Sequence, residues 1–131
     1  MDLRSDADVE RLLAGAGETP VLIFKHSTSC PVSAAMHTQF QTAAQAGDLD
    51  GARLGRVRVI EERPVSLAIA ARFGVEHASP QALVIRNGQA VWNASHHHIT
   101  RQALRTAVGI GAPESASVVK SPVRPSGSAR P

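Results

Sequence analysis

Two short runs constrain this chain more than anything else in it: Val21-Leu22-Ile23-Phe24 and Ala82-Leu83-Val84-Ile85. A continuous apolar run of this kind has no polar face, so it suits a strand buried on both sides. A sheet built on such strands needs helices above and below it. Ser5 can cap a first helix that puts Val9, Leu12 and Leu13 on one face and ends by Gly15 or Gly17. Pro31 stands where a first helical residue belongs, and Val32, Met36, Phe40 and Ala43 follow at helical spacing until Gly47. Arg56 to Ile60 alternates charged and aliphatic residues and reads as another strand, with Arg53, Arg56 and Arg58 as its solvated face. Pro64 opens a further helix with Val65, Ile69 and Phe73 four apart and Gly74 as its stop.

After the second apolar run, Asn87-Gly88 is a strong hairpin signal, with Ala90-Val91-Trp92 as the returning strand. Thr100 caps a last helix carrying Leu104, Ala107 and Val108. The order α-β-α-β-α-β-β-α predicts an α/β fold. Its economical form is a four-stranded mixed β-sheet flanked by helices, the thioredoxin-like arrangement. Small α/β domains share pieces of this pattern, so it does not by itself prove the fold. The expected domain covers residues 1–110. Residues 111–131 hold four of the eight prolines and five serines, and are expected to form a disordered tail.

Composition narrows the function. The chain of 131 residues carries a net charge of +3, but the segment from Gly111 holds three bases and one acid. Residues 1–110 keep 11 bases against 10 acids, which is no footprint for DNA. With no Tyr, one Trp and three Phe, platforms for base stacking are scarce as well. No nucleic-acid partner is expected. The start, Met1-Asp2-Leu3-Arg4-Ser5-Asp6, lacks a basic region before an apolar core, and no apolar stretch approaches 18 residues. No membrane partner and a cytoplasmic location are therefore expected, together with a monomer or weak dimer.

A single cysteine, Cys30, decides the rest. It cannot make an intramolecular disulfide, a paired redox site or a four-cysteine metal site. It lies after a buried strand and a polar loop, at the start of the Pro31 helix. Helix N-termini favour an anion, so this placement predicts a reactive thiolate rather than an inert core thiol. Lys25 and His26 lie a few residues before it and could add positive charge. Ser33 occupies the place of a second thiol in a Cys-Pro-x-Cys site. A dithiol enzyme releases its substrate with that second thiol. Cys30 must instead wait as a mixed disulfide for an external thiol, either an abundant small one or a partner's cysteine. Ser79-Pro80 precedes the third strand. Its bond is open between an ordinary trans strand opener and a cis bond whose neighbour Ser79 can pair with an extended substrate.

The stretch from Phe24 to Ser33, FKHSTSCPVS, resembles the active-site segment of the YtxJ-like family, the monothiol bacilliredoxins. Glu62-Arg63-Pro64-Val65-Ser66, His77-Ala78-Ser79-Pro80-Gln81 and Ser95-His96-His97-His98-Ile99-Thr100 resemble further segments of that family in the same order. The resemblance covers about residues 5–110. It implies a thioredoxin-like fold with Cys30 catalytic and Pro80 as the cis-proline. It also implies bacillithiol as co-substrate, no bound cofactor, and S-bacillithiolated client proteins as partners. The implied reaction removes bacillithiol from those proteins. Lys25, His26, Ser29, Pro31, Arg63, Ser79 and Pro80 are the candidate substrate-binding residues. Lys25, His26 and Arg63 are the expected partners of the two malate carboxylates of bacillithiol.

Two other functions fit the same residues. One is an iron–sulfur carrier of the monothiol glutaredoxin type, for which Cys-Gly-Phe-Ser would be the better motif. The other is a non-catalytic thioredoxin-like binding module. His77 could tune Cys30 or be a plain loop histidine. His96-His97-His98 is expected to be a solvated loop rather than a metal site, because three consecutive residues seldom converge on one ion.

Overall fold

The computed structural model describes residues 1–109. The elements are α1 (Asp6–Leu13), β1 (Val21–His26), α2 (Pro31–Gln45), β2 (Arg53–Arg58), α3 (Arg63–Phe73), β3 (Gln81–Arg86), β4 (Gln89–Ser95), a 3-10 turn (His96–His98) and α4 (Arg101–Ala107). The expected tail, residues 111–131, lies outside the described residues. Local chemistry sets several element ends. Ser5 Oγ accepts from the Asp8 N–H at the start of α1, and Thr100 Oγ1 accepts from Ala103 N–H at the start of α4. Gly74 closes α3 in the left-handed conformation. Asn87 and Gly88 both take positive φ, 55° and 76°, as a two-residue primed turn requires.

The sheet runs β2-β1-β3-β4. β1 is parallel to β2, antiparallel to β3, and β3 is antiparallel to β4. Successive side chains of a strand point to opposite faces, so the two apolar runs feed two cores at once. Leu22, Phe24, Ala82 and Val84 meet Met36 and Phe40 of α2 and Leu104 and Ala107 of α4. Val21, Ile23, Leu83 and Ile85 meet Val9 and Leu12 of α1 and Val65 and Ile69 of α3. Trp92 is half-buried against the first of these cores.

Three features depart from expectation. β2 spans Arg53–Arg58, not Arg56 to Ile60, because its parallel register pairs Val21 with Arg53 and His26 with Arg58. Val59 still donates to His26 O, but Ile60 is exposed. The three arginines do not share one solvated face. Arg53 has the opposite parity to Arg56 and Arg58, and its guanidinium donates to the Leu12 and Ala14 carbonyls at the end of α1. Arg56 pairs with Asp2 at 2.8 Å, and Arg58 with Glu62 at 3.0 Å. Finally, the N-terminal segment covers the outer edge of β2. Arg56 N–H donates to Met1 O, and Leu3 N–H to Arg56 O. A Cβ on Gly55 would lie 2.5 Å from Leu12 Cδ2 and 3.1 Å from Leu3 Cδ1, so a larger residue there would have to displace both leucines from β2.

Candidate functional site

Cys30 is the N-cap residue of α2, with extended backbone (φ −111°, ψ 121°) and Pro31 at the first helical position. Its thiol is free and partly exposed. The Cys30 N–H donates to Ser27 O at 3.3 Å, and Ala34 N–H donates to Cys30 O at 3.0 Å. The cysteine is therefore fixed between a tight turn and the first helical turn.

Ser33 anchors that turn from below. It is fully buried, and its Oγ accepts from Ser27 N–H at 2.8 Å. The same oxygen lies 2.8 Å from His26 Nδ1. Having accepted from Ser27, the hydroxyl still has its own proton, placed to be given to Nδ1 of a neutral His26. Burial, then the charge of Arg56, holds this imidazole below its ordinary value. The His26 ring stacks on His37 with centroids 4.4 Å apart. His37 Nε2 lies 3.2 Å from Arg56 Nη1. Burial, His26 and Arg56 together bring His37 down to about 4. The serine in the place of a second thiol thus serves the fold of the loop. On the outer side, Thr28 Oγ1 donates to Glu61 Oε2 at 3.2 Å, which ties the cysteine loop to the β2–α3 connection. Ser29 and Pro31 are exposed beside Cys30, and Ser29 Oγ lies 3.4 Å from Ser27 Oγ.

The Ser79-Pro80 peptide bond is cis. Gln81, the next residue, pairs with Lys25 of β1 and with Ser95 of β4. Pro80 consequently stands at the end of the sheet where β1 leads into the cysteine loop. Pro80 O accepts from His96 N–H at 3.0 Å. Among the described residues, no backbone hydrogen bond engages the Ser79 N–H or C=O. Its hydroxyl is buried without a partner.

Two expected surface cations are not surface cations. Lys25 is 0% exposed, because strand parity turns it to the same face as Ile23, under the α3 side of the sheet. Its Nζ lies 3.2 Å from His77 Nδ1, which is also 3.4 Å from Ser66 Oγ. Among the described residues it has no carboxylate partner. Burial lowers its ammonium to about 8. His26 is neutral and occupied by Ser33. Both side chains are therefore already engaged by partners within the fold. Arg63, the first residue of α3, is exposed as expected. Burial, then the charges of Lys25 and Arg63, holds His77 below its ordinary value.

Sequence reasoning missed His37 and Glu61. His37 lies seven residues after Cys30 and four after Ser33, a helical spacing that could have found it. No local signal marks Glu61. His96, His97 and His98 are all exposed on the 3-10 turn. Among the described residues no group of His, Cys, Asp or Glu side chains is placed to hold a metal ion. No helix among them is long and apolar enough to cross a membrane.

Comparison with known proteins agrees with this geometry. The family model described as "Monothiol bacilliredoxin BrxC" matches residues 1–104. A solved structure described as a proposed oxidoreductase with a thioredoxin fold superposes with a TM-score of 0.73 at 33% identity, covering 82% of this chain and 91% of that one. Thioredoxin from Fasciola hepatica superposes at 0.65 with 19% identity, over 82% and 94% of the two chains. Oxidised mitochondrial thioredoxin 3 from Saccharomyces cerevisiae gives 0.65 with 16% identity, over 82% and 92%. The last two similarities concern the fold alone.

Proposed function

The chain belongs to the monothiol bacilliredoxin family, and from that membership and the setting of Cys30 we propose that it removes bacillithiol from S-bacillithiolated proteins. The family and its thioredoxin-like oxidoreductase fold give it a thiol redox role, with protein or small-thiol substrates. The observation that carries the finer reading is a partly exposed thiol at the N-cap position of α2 whose neighbour one turn on is a buried serine. No second cysteine is available to finish the exchange, so an external thiol must take part in it.

The Cys30 thiolate attacks the bacillithiol sulfur of the client's mixed disulfide. That S–S bond breaks, the client leaves as a thiolate, and Cys30 now carries bacillithiol. A second bacillithiol thiolate attacks the same sulfur, forms bacillithiol disulfide and returns Cys30 as a thiolate. Each step breaks one disulfide and forms one, so electrons balance. The free backbone groups of Ser79 are suited to hold the client's extended chain beside the sulfur as an added strand. Exposed Ser29 and Pro31 border the same approach. The chemistry needs one chain, so a monomer or weak dimer suffices. A cytoplasmic setting, where small thiols keep cysteines reduced, suits it.

Mass spectrometry after mixing the protein with a bacillithiolated client tests this. The expected result is loss of the client's adduct and a bacillithiol adduct on Cys30. A client that keeps its adduct, with Cys30 unmodified, refutes the reading.

A further inference from the structure

A buried ammonium with no carboxylate beside it is costly, and Lys25 is one. It stands at the end of β1, where Gln81 faces it from β3 and His77 from the α3–β3 connection, with Ser66 of α3 3.4 Å from the same His77 nitrogen. Beyond His77 opens a cavity of about 450 Å³, within the range of small-ligand sites. Glu76, His77, Gln81, Asn93 and Ser95 line it. Gln81, only 2% exposed, donates from Nε2 to Glu76 O, while its buried Oε1 has no partner among the described residues. Gln81, Asn93 and Ser95 share one face of the sheet by parity, the face that also carries Lys25. The cavity therefore lies at the cis-Pro80 end of the sheet, on the side where Lys25 is buried.

His77 joins the cavity to the buried charge. The Lys25 ammonium has only protons to give, so His77 Nδ1 must accept, and the hydrogen of this neutral ring sits on Nε2. A neutral imidazole held in that tautomer is a fixed donor. It is backed by the positive charge of Lys25 and flanked by that of Arg63. Both charges favour an anion at this point, while Glu76 gives the mouth an acidic side suited to a ligand's own N–H and O–H groups.

We propose that this cavity is the subsite for the carboxylate-bearing part of the small thiol, with His77 meeting the carboxylate, the exposed Arg63 adding its charge from the start of α3, and Lys25 acting as the positioning residue that fixes the His77 tautomer. The proposal rests on the reaction proposed above and gives Lys25 a role it can perform from inside the protein. Bonds from charged or charge-backed donors to a carboxylate are the strong class, and losing one lowers affinity about tenfold.

The test compares one client protein carrying bacillithiol with the same client carrying cysteamine, which has no carboxylate. Wild type is expected to show a KM about tenfold lower for the bacillithiolated client. Arg63→Ala and Lys25→Met are each expected to shrink that preference through KM rather than kcat. The KM of wild type for the bacillithiolated client should also rise between pH 7 and pH 9 as Lys25 loses its proton. That rise should be absent in Lys25→Met. Release from both clients with equal KM, or an unchanged pH profile in Lys25→Met, overturns the subsite alone. Release from neither client overturns the reaction and the subsite together.

Discussion

Replacing Lys25 by methionine should stabilise this protein at neutral pH. The side chain is fully buried, and burial lowers its ammonium from 10.5 to about 8. The unfolded chain therefore holds the proton more tightly than the folded one between those values. The cost to the fold is complete below pH 8, falls as pH rises from 8 toward 10.5, and is gone above it. At 1.36 kcal/mol per tenfold, that cost is about 3 kcal/mol. Methionine keeps the volume and removes the charge, but it forfeits the bond to His77 Nδ1, worth about 1 kcal/mol. Ser66 Oγ, 3.4 Å from the same nitrogen, is placed to take over part of that bond. The expected net gain at pH 7 is about 2 kcal/mol, or about 1 M in the urea midpoint of a domain this size. Urea titrations of wild type and variant from pH 6 to pH 10.5 check this. The gain should shrink above pH 8 and reverse near 10.5. A variant less stable than wild type at pH 7, or a gain that does not change with pH, would refute the reasoning.

Two further outcomes follow from the cysteine loop. Ser33→Ala should cost about 1–3 kcal/mol, because it strands the Ser27 N–H and His26 Nδ1 together. It should also loosen the loop, read as faster amide exchange at Ser27 and Cys30. His37 is held near 4, so the folded state binds its proton less readily than the unfolded chain does. Stability should be full above pH 6.5 and be lost as pH falls from 6.5 toward 4. His37→Phe, measured by thermal unfolding across that range, should flatten this acid limb.

Much of this molecule could be read without coordinates because the deciding physics is local. A short apolar run with no polar side suits a doubly covered strand. Pro31 after a loop starts a helix, Thr100 caps one, and Asn87-Gly88 turns a hairpin, each through its own backbone and side-chain chemistry. Cys30 at a helix start followed by Pro31, with Ser33 in place of a second thiol, belongs to the same class of facts. They sufficed for the α/β order, the position of the lone sulfur and the need for an external thiol.

Register and parity were not local, and they decided the rest. Pairing with β1 brings Arg53 into β2, and its odd position then sets it on the face opposite Arg56 and Arg58. Lys25 looked like a cation near the cysteine. Its strand position turns it to the α3 side, where helix and loop exclude water and His77 is its hydrogen-bond partner. His26, one residue on, turns the other way, onto Ser33 and His37. Burial is a property of what packs over a residue, and for Lys25 that covering includes His77, more than fifty residues away. The sequence alone located the lone cysteine and the serine that stands in place of a second thiol. Only the tertiary structure decided which of the neighbouring charges face a substrate and which are spent inside the fold.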